Sequence, residues 1–117
     1  MRTFRRRGKV DGMYDLNAIA EEHLVNAHAD EHGRSANLIL RDPPLRQSVI
    51  ALTAGTSLDE HNTPPAASLQ VLRGVVRVTA QSGDVELTMG ALYLLPPERH
   101  GVTAVTDAAV LLTAVND

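Results

Sequence analysis

The stretch Val75-Val-Arg-Val-Thr-Ala80-Gln-Ser-Gly83-Asp-Val85-Glu-Leu-Thr-Met89 decides how the chain is read. Val76, Val78 and Ala80 alternate with Arg77 and Thr79, and Val85, Leu87 and Met89 alternate with Glu86 and Thr88, which is the period of a strand with one apolar and one polar face. Between the two runs, Gln81-Ser82-Gly83-Asp84 supplies hairpin chemistry. Outward from this hairpin, further short runs rich in Val, Leu and Thr are predicted as strands at 35–40, 46–54, 68–72, 91–95, 101–105 and 109–115. Turn residues separate them: Asp42-Pro43-Pro44, Asn62-Thr63-Pro64-Pro65, Leu95-Pro96-Pro97-Glu98 and Thr106-Asp107. No helical pattern interrupts the series, so alternating βαβ architecture is excluded and an antiparallel barrel or jelly roll remains. The last strand is apolar on both faces from Ala109 to Leu112. That is expected where the barrel covers one side and a helix or second subunit covers the other.

Toward the N-terminus the period changes. From Asp15, a suitable N-cap, apolar residues recur at Leu16, Ile19, Ala20, Leu24 and Ala27, the spacing of a helix with one buried face. Gly33 is the expected stop. The organisation read from the sequence is a basic flexible tail at 1–13, an N-terminal helix at 14–33 and a β-barrel at 34–117.

Composition sets the limits. A chain of 117 residues fits one domain with a single core. Aromatics make up only 3%, so that core must be aliphatic. The absence of cysteine excludes disulfides, thiolate ligands and a cysteine nucleophile. No apolar run approaches the ~18 residues of a membrane span, no signal-peptide pattern is present, and a cytoplasmic location is the default expectation. Five of the eleven basic residues lie among the first nine positions, whereas all fourteen acids follow them. A basic tail of this kind can meet phosphate. No recognition helix, aromatic stacking platform or basic face follows it, so neither nucleic acid nor membrane is expected as a partner.

Two segments carry a family resemblance. The first is Gly55-Thr-Ser-Leu-Asp-Glu-His61-Asn-Thr63-Pro-Pro-Ala-Ala67-Ser-Leu-Gln-Val-Leu-Arg-Gly74. It resembles the first cupin motif, in which Gly and five residues precede His-x-His, then three or four residues, Glu, six residues and Gly. Gly55, His61 and Gly74 are in register, but the second histidine is Thr63 and the glutamate is Ala67, or Ala66 if the loop shifts by one. The second segment, Gly90-Ala-Leu-Tyr-Leu-Leu-Pro96-Pro-Glu98-Arg-His100, resembles the second motif. Gly90 and Pro96 match, Glu98 replaces a glycine, and His100 comes one residue early. The likeness spans residues 46–115 and is to small single-domain cupins of the RmlC-like type. It implies an all-β, double-stranded β-helix (jelly-roll barrel) carrying a short N-terminal helix.

In intact cupins three imidazoles and a carboxylate hold a divalent metal such as Fe, Mn, Ni or Zn. By resemblance His61 and His100 are the surviving pair. Because residues two apart on a strand share a face, Asp59 is the candidate third ligand. The expected cofactor is therefore none, or one divalent metal on Asp59, His61 and His100. An aliphatic pocket lined by Leu72, Tyr93 and Val102 is expected around the polar groups His61, Thr63, Gln70, Arg99 and His100. His28 and His32, four apart, read as a solvated helix end, and His23 as a residue bordering the buried face. Serines occur without a nucleophile elbow. The functional expectation is a small-molecule-binding, accessory or sensor domain with a degenerate metal site. The alternatives are a metal-dependent dioxygenase or isomerase using Asp59, His61 and His100, and a dimerisation module. A homodimer is expected because small barrels leave sheet edges open to pairing.

Overall fold

The computed structural model describes residues 5–6, 9–10, 12–61 and 65–115, with side chains described for 12–58 and 65–115. Three two-residue strands, β1 (Arg5–Arg6), β2 (Lys9–Val10) and β3 (Met13–Tyr14), lead into helix α1 (Leu16–Ala29). Strands β4 (Arg34–Asp42), β5 (Leu45–Leu52), β6 (Ser57–His61), β7 (Ala66–Arg73), β8 (Val75–Ala80), β9 (Val85–Thr88), β10 (Leu92–Leu94), β11 (His100–Ala104) and β12 (Ala108–Val115) follow.

They form two facing antiparallel sheets, in the order β10-β7-β12-β5-β4 and β6-β11-β8-β9. Strand alternation sorts the side chains. Inward residues Ile50, Leu52, Leu69, Val71, Val76, Val78, Leu87, Val102 and Val110 make one aliphatic core between the sheets. Outward residues Val49, Ala51, Leu72, Ala109 and Leu111 of the five-stranded sheet make a second cluster with Ile19, Ala20 and Ala27 of α1. Strand β12 is thus buried on both faces by barrel and helix, as its unbroken apolar run predicts.

The helix begins as the sequence indicates, with the Asp15 side chain accepting the Ala18 N–H at 3.2 Å. It ends at Ala29, a turn before Gly33. The Asp30 carboxylate accepts the backbone N–H groups of His32 (2.9 Å) and Arg34 (3.3 Å), so it organises the exit loop in place of another helical turn. Gly33, at φ +74°, serves that loop instead. The helix is also tied by polar contacts: His23 Nδ1 to Ser35 Oγ at 2.7 Å, and Arg73 to Glu21 at 3.0 Å. Arg73 is thus the tie between β7 and α1.

Two elements differ from the sequence reading. Strand β6 fills the 57–61 segment for which no strand is predicted. The segment read as a tail contains the β1-β2-β3 ladder, with Arg5 opposite Val10 and Val10 opposite Met13. Gly12, just before Met13, takes φ +78°, a conformation glycine adopts without strain.

Candidate functional site

Among the described residues His100 is the one polar side chain in the core, at 1% exposure. It opens β11, and two and four residues on, Val102 and Ala104 point between the sheets, so the same alternation directs the imidazole inward. Burying an imidazole among aliphatic side chains is costly unless its nitrogens are satisfied. Nδ1 lies 3.0 Å from the Glu98 carbonyl oxygen. A carbonyl can only accept, so Nδ1 carries the proton, and in the neutral ring Nε2 holds the lone pair. The Glu98 side chain fastens the same loop: its Oε1 accepts from Ser82 N–H (2.9 Å) and Ser82 Oγ (2.7 Å). These two hydrogen bonds hold its carboxyl below the usual glutamate range.

The β11–β6 ladder sets His100 opposite His61, Val102 opposite Leu58 and Thr103 opposite Ser57. Two residues on β11 therefore face three on β6, so an extra residue is accommodated between Leu58 and His61, as in a β-bulge. The backbone brings positions 61 and 100 together, as the two-motif reading requires. The bulge interrupts the period-two rule that associates Asp59 with His61. The side chains of Asp59 and His61, and all of Thr63, lie outside the described residues. Among the described residues no group of three His, Asp or Glu side chains is arranged to hold a metal ion.

The other candidate pocket residues divide between faces. Tyr93, between the exposed Leu92 and Leu94, packs against the interior cluster, and Val102 belongs to it. Leu72 does not line the interior: it belongs to the helix-facing cluster. Gln70 shares that outer face, because the inward positions of β7 are Ala67, Leu69 and Val71. Arg99, next in sequence to the inward His100, is exposed and lines a rim cavity with Thr79, Ala80, Gln81, Asp84 and Glu98. Assigning Gln70, Leu72 and Arg99 to one interior pocket is thus corrected by strand parity. His28 and His32 do not form a pair either. The helix ends between them, His28 Nε2 contacts Asp107 Oδ2 at 2.7 Å, and His32 Nε2 lies 3.2 Å from Glu31.

No protein-family model matches the sequence, and no curated protein matches it. Solved structures do. A conserved protein of unknown function from Streptococcus pyogenes superposes with a TM-score of 0.68 at 20% identity, covering 75% of this chain and 78% of that one. A cupin superfamily protein from Desulfitobacterium hafniense gives 0.67 at 14% identity, with 72% and 78% covered. An RmlC-like cupin from Desulfovibrio desulfuricans gives 0.63 at 24%, with 70% and 81% covered. The fold is the cupin fold.

Within that fold the four-donor metal centre can be tested against the residues present. The position of the motif's glutamate is occupied by Ala67, which is buried in the aliphatic core, and the shifted alternative, Ala66, is exposed at the β7 end and also lacks a donor. The second histidine is Thr63. Two donors of the cupin set are therefore replaced by residues without imidazole or carboxylate, and the chain does not fit the complete three-histidine, one-glutamate centre.

Proposed function

We propose that the chain is a small-molecule-binding cupin-fold domain, an accessory or sensor module, whose ligand is oriented by His61 and His100. The observation that carries this reading is the His100 imidazole, placed in an otherwise aliphatic core and oriented through Nδ1 by the Glu98 carbonyl. A buried imidazole oriented through one ring nitrogen is the kind of sparse polar group that gives a hydrophobic pocket its orientation. Residues opposite one another on an antiparallel ladder share a face, which supports pairing His61 with it. Tyr93 and Val102 supply apolar lining in this reading.

The second reading is a metal-dependent cupin enzyme with Asp59, His61 and His100 as ligands. The register that pairs positions 61 and 100 favours it. Metal analysis of protein purified without a histidine tag, with native mass spectrometry for a carried small molecule, separates the two. Substoichiometric metal, together with a thermal shift by small apolar acids that is lost in His100→Ala, supports the binding module. One metal per chain that is lost in both His61→Ala and Asp59→Ala overturns it in favour of the enzyme.

A homodimer belongs to the same proposal. Edge strand β10 exposes Leu92 at 71% and Leu94 at 73%, and Leu94 borders an apolar hollow of about 140 Å³ between β7 and β12. Sedimentation is expected to show a dimer that Leu92→Glu/Leu94→Glu dissociates, and a wild-type monomer at all concentrations contradicts it.

A further inference from the structure

The edges of the two facing sheets are β4, β6, β9 and β10. The first three are guarded against further pairing in the ways natural sheets use. Strand β4 carries the exposed Arg34, Arg41 and Asp42 and a register shift between Leu38 and Leu40. Strand β6 carries Asp59 and Glu60 in its sequence and a register shift against β11. Strand β9 carries Glu86, whose carboxylate meets Arg77 at 3.1 Å. Strand β10 has none of these devices. Residues 89–95 read Met-Gly-Ala-Leu-Tyr-Leu-Leu, without a charge or a proline, and the ladder with β7 runs without a shift.

The backbone of β10 is open as well. Leu92, Tyr93 and Leu94 lie opposite Gln70, Leu69 and Ser68. On either side, the Val71 N–H donates to the Ala91 carbonyl at 2.9 Å and the Leu95 N–H to the Ala67 carbonyl at 3.0 Å. Bonded and non-bonded pairs alternate along an antiparallel ladder, so positions 91, 93 and 95 bond toward β7. The N–H and C=O groups of Leu92 and Leu94 therefore point away from it. Among the described residues no strand pairs with that side. The same two residues expose their side chains on the outer face of the sheet, whereas Tyr93 packs inward.

We infer that β10 is a dimerisation edge that pairs antiparallel with β10 of a second copy about a two-fold axis at Tyr93, so that two five-stranded sheets become one continuous sheet. The inference rests on the homodimer proposed above and adds its edge and register. The axis sets Leu92 opposite Leu94 of the partner subunit, and Leu94 opposite Leu92 of the partner subunit, each pair exchanging both of its N–H···O bonds. One operation thus satisfies the open backbone groups and covers the exposed leucines. With no charge in 89–95, nothing in the strand repels its copy. A slip of one residue sets the outward groups of each leucine against residues whose own groups already bond β7, so the register is fixed.

The test uses the absence of native cysteine. Full chains carrying Leu92→Cys and Leu94→Cys are mixed in equal amounts, oxidised mildly, and mapped for intermolecular disulfides by mass spectrometry. In the inferred register, position 92 of one chain and position 94 of the other are directly opposite, about 5.5 Å apart at Cα, which suits a disulfide. Two copies of position 92 are offset by two residues, about 7 Å along the strands in addition to the strand spacing, which does not. The mixed disulfide is expected to dominate, with little crosslinking of either variant alone. Leu92→Pro deletes an outward N–H that β7 does not use, and should weaken the dimer about tenfold or more beyond Leu92→Ala in sedimentation. A wild-type dimer whose cysteine variants show no preference for the mixed disulfide, or a Leu92→Pro chain that dimerises as Leu92→Ala does, overturns the edge pairing and leaves the homodimer standing. A wild-type monomer at all concentrations, which leaves this edge to an extended segment of another protein, overturns both.

Discussion

The β5–β12 ladder and the β6–β11 ladder are built in opposite ways within one barrel. The first pairs Ala108 with Leu52 through to Val115 with Leu45 in unbroken register, and its central residues are apolar on both faces. The second is short, shifts register between His100 and Val102, and opens with a buried imidazole followed by glycine. A continuous ladder with two apolar faces maximises burial, whereas a bulge and a buried polar ring each weaken local regularity. Departures from local consistency concentrate at functional positions. The contrast locates stability in the five-stranded sheet and its helix, and the buried polar side chain of the core at the start of β11.

Single substitutions probe this contrast. The largest expected loss is at Leu52, 1% exposed between the sheets: Leu52→Ala should destabilise by about 2–5 kcal/mol in chemical denaturation. Next is Gly74, whose φ of +75° an L residue adopts with strain and whose added Cβ would collide with the Asp107 carbonyl oxygen and the Thr106 hydroxyl. Gly74→Ala should cost about 1–3 kcal/mol. At His100 the reverse balance is expected. His100→Leu removes a buried polar group and leaves one carbonyl without this donor, so denaturation should move by about 1 kcal/mol or less, while thermal shift by interior ligands disappears.

The smallest effect joins the two regions. Asp107, in the turn between β11 and β12, accepts the Ala54 N–H at 2.8 Å and meets His28 at 2.7 Å. These contacts, the Ala54 bond foremost, hold its carboxyl below the ordinary aspartate range. A depressed folded value means that the ionised form favours folding. Its contribution is fully present above the unfolded aspartate value of about 3.9 and is lost as pH falls through the lowered folded value. Asp107→Ala should therefore flatten the acid limb of a stability–pH curve slightly, and an unchanged limb contradicts the assignment.

The same contrast explains what was legible in the sequence. Alternation at Val76, Val78, Val85 and Leu87, and the two-faced apolar run of β12, could be read directly because burial there follows period two or is complete. Strand β6 was not legible: Asp59, Glu60 and His61 are consecutive polar residues, and the extra residue between Leu58 and His61 breaks the alternation that would reveal a strand. For the same reason the period-two argument that brought in Asp59 is interrupted. Motif position alone does not assign a face, so Gln70, Leu72 and Arg99 read from the sequence as one pocket. Parity against Leu69, Val71 and His100 separates them. The N-terminal ladder had a signal, Asp11-Gly12, but its strands are too short to show a period.

The central claim is that positions 61 and 100 face one another across β6 and β11. The chain contains no cysteine, so a His61→Cys/His100→Cys double variant carries only the two thiols of interest. Mild oxidation followed by non-reducing mass mapping should yield an intramolecular disulfide in monomeric, folded protein. Thiols that stay free, or that link only between chains, would contradict the register and with it the shared site.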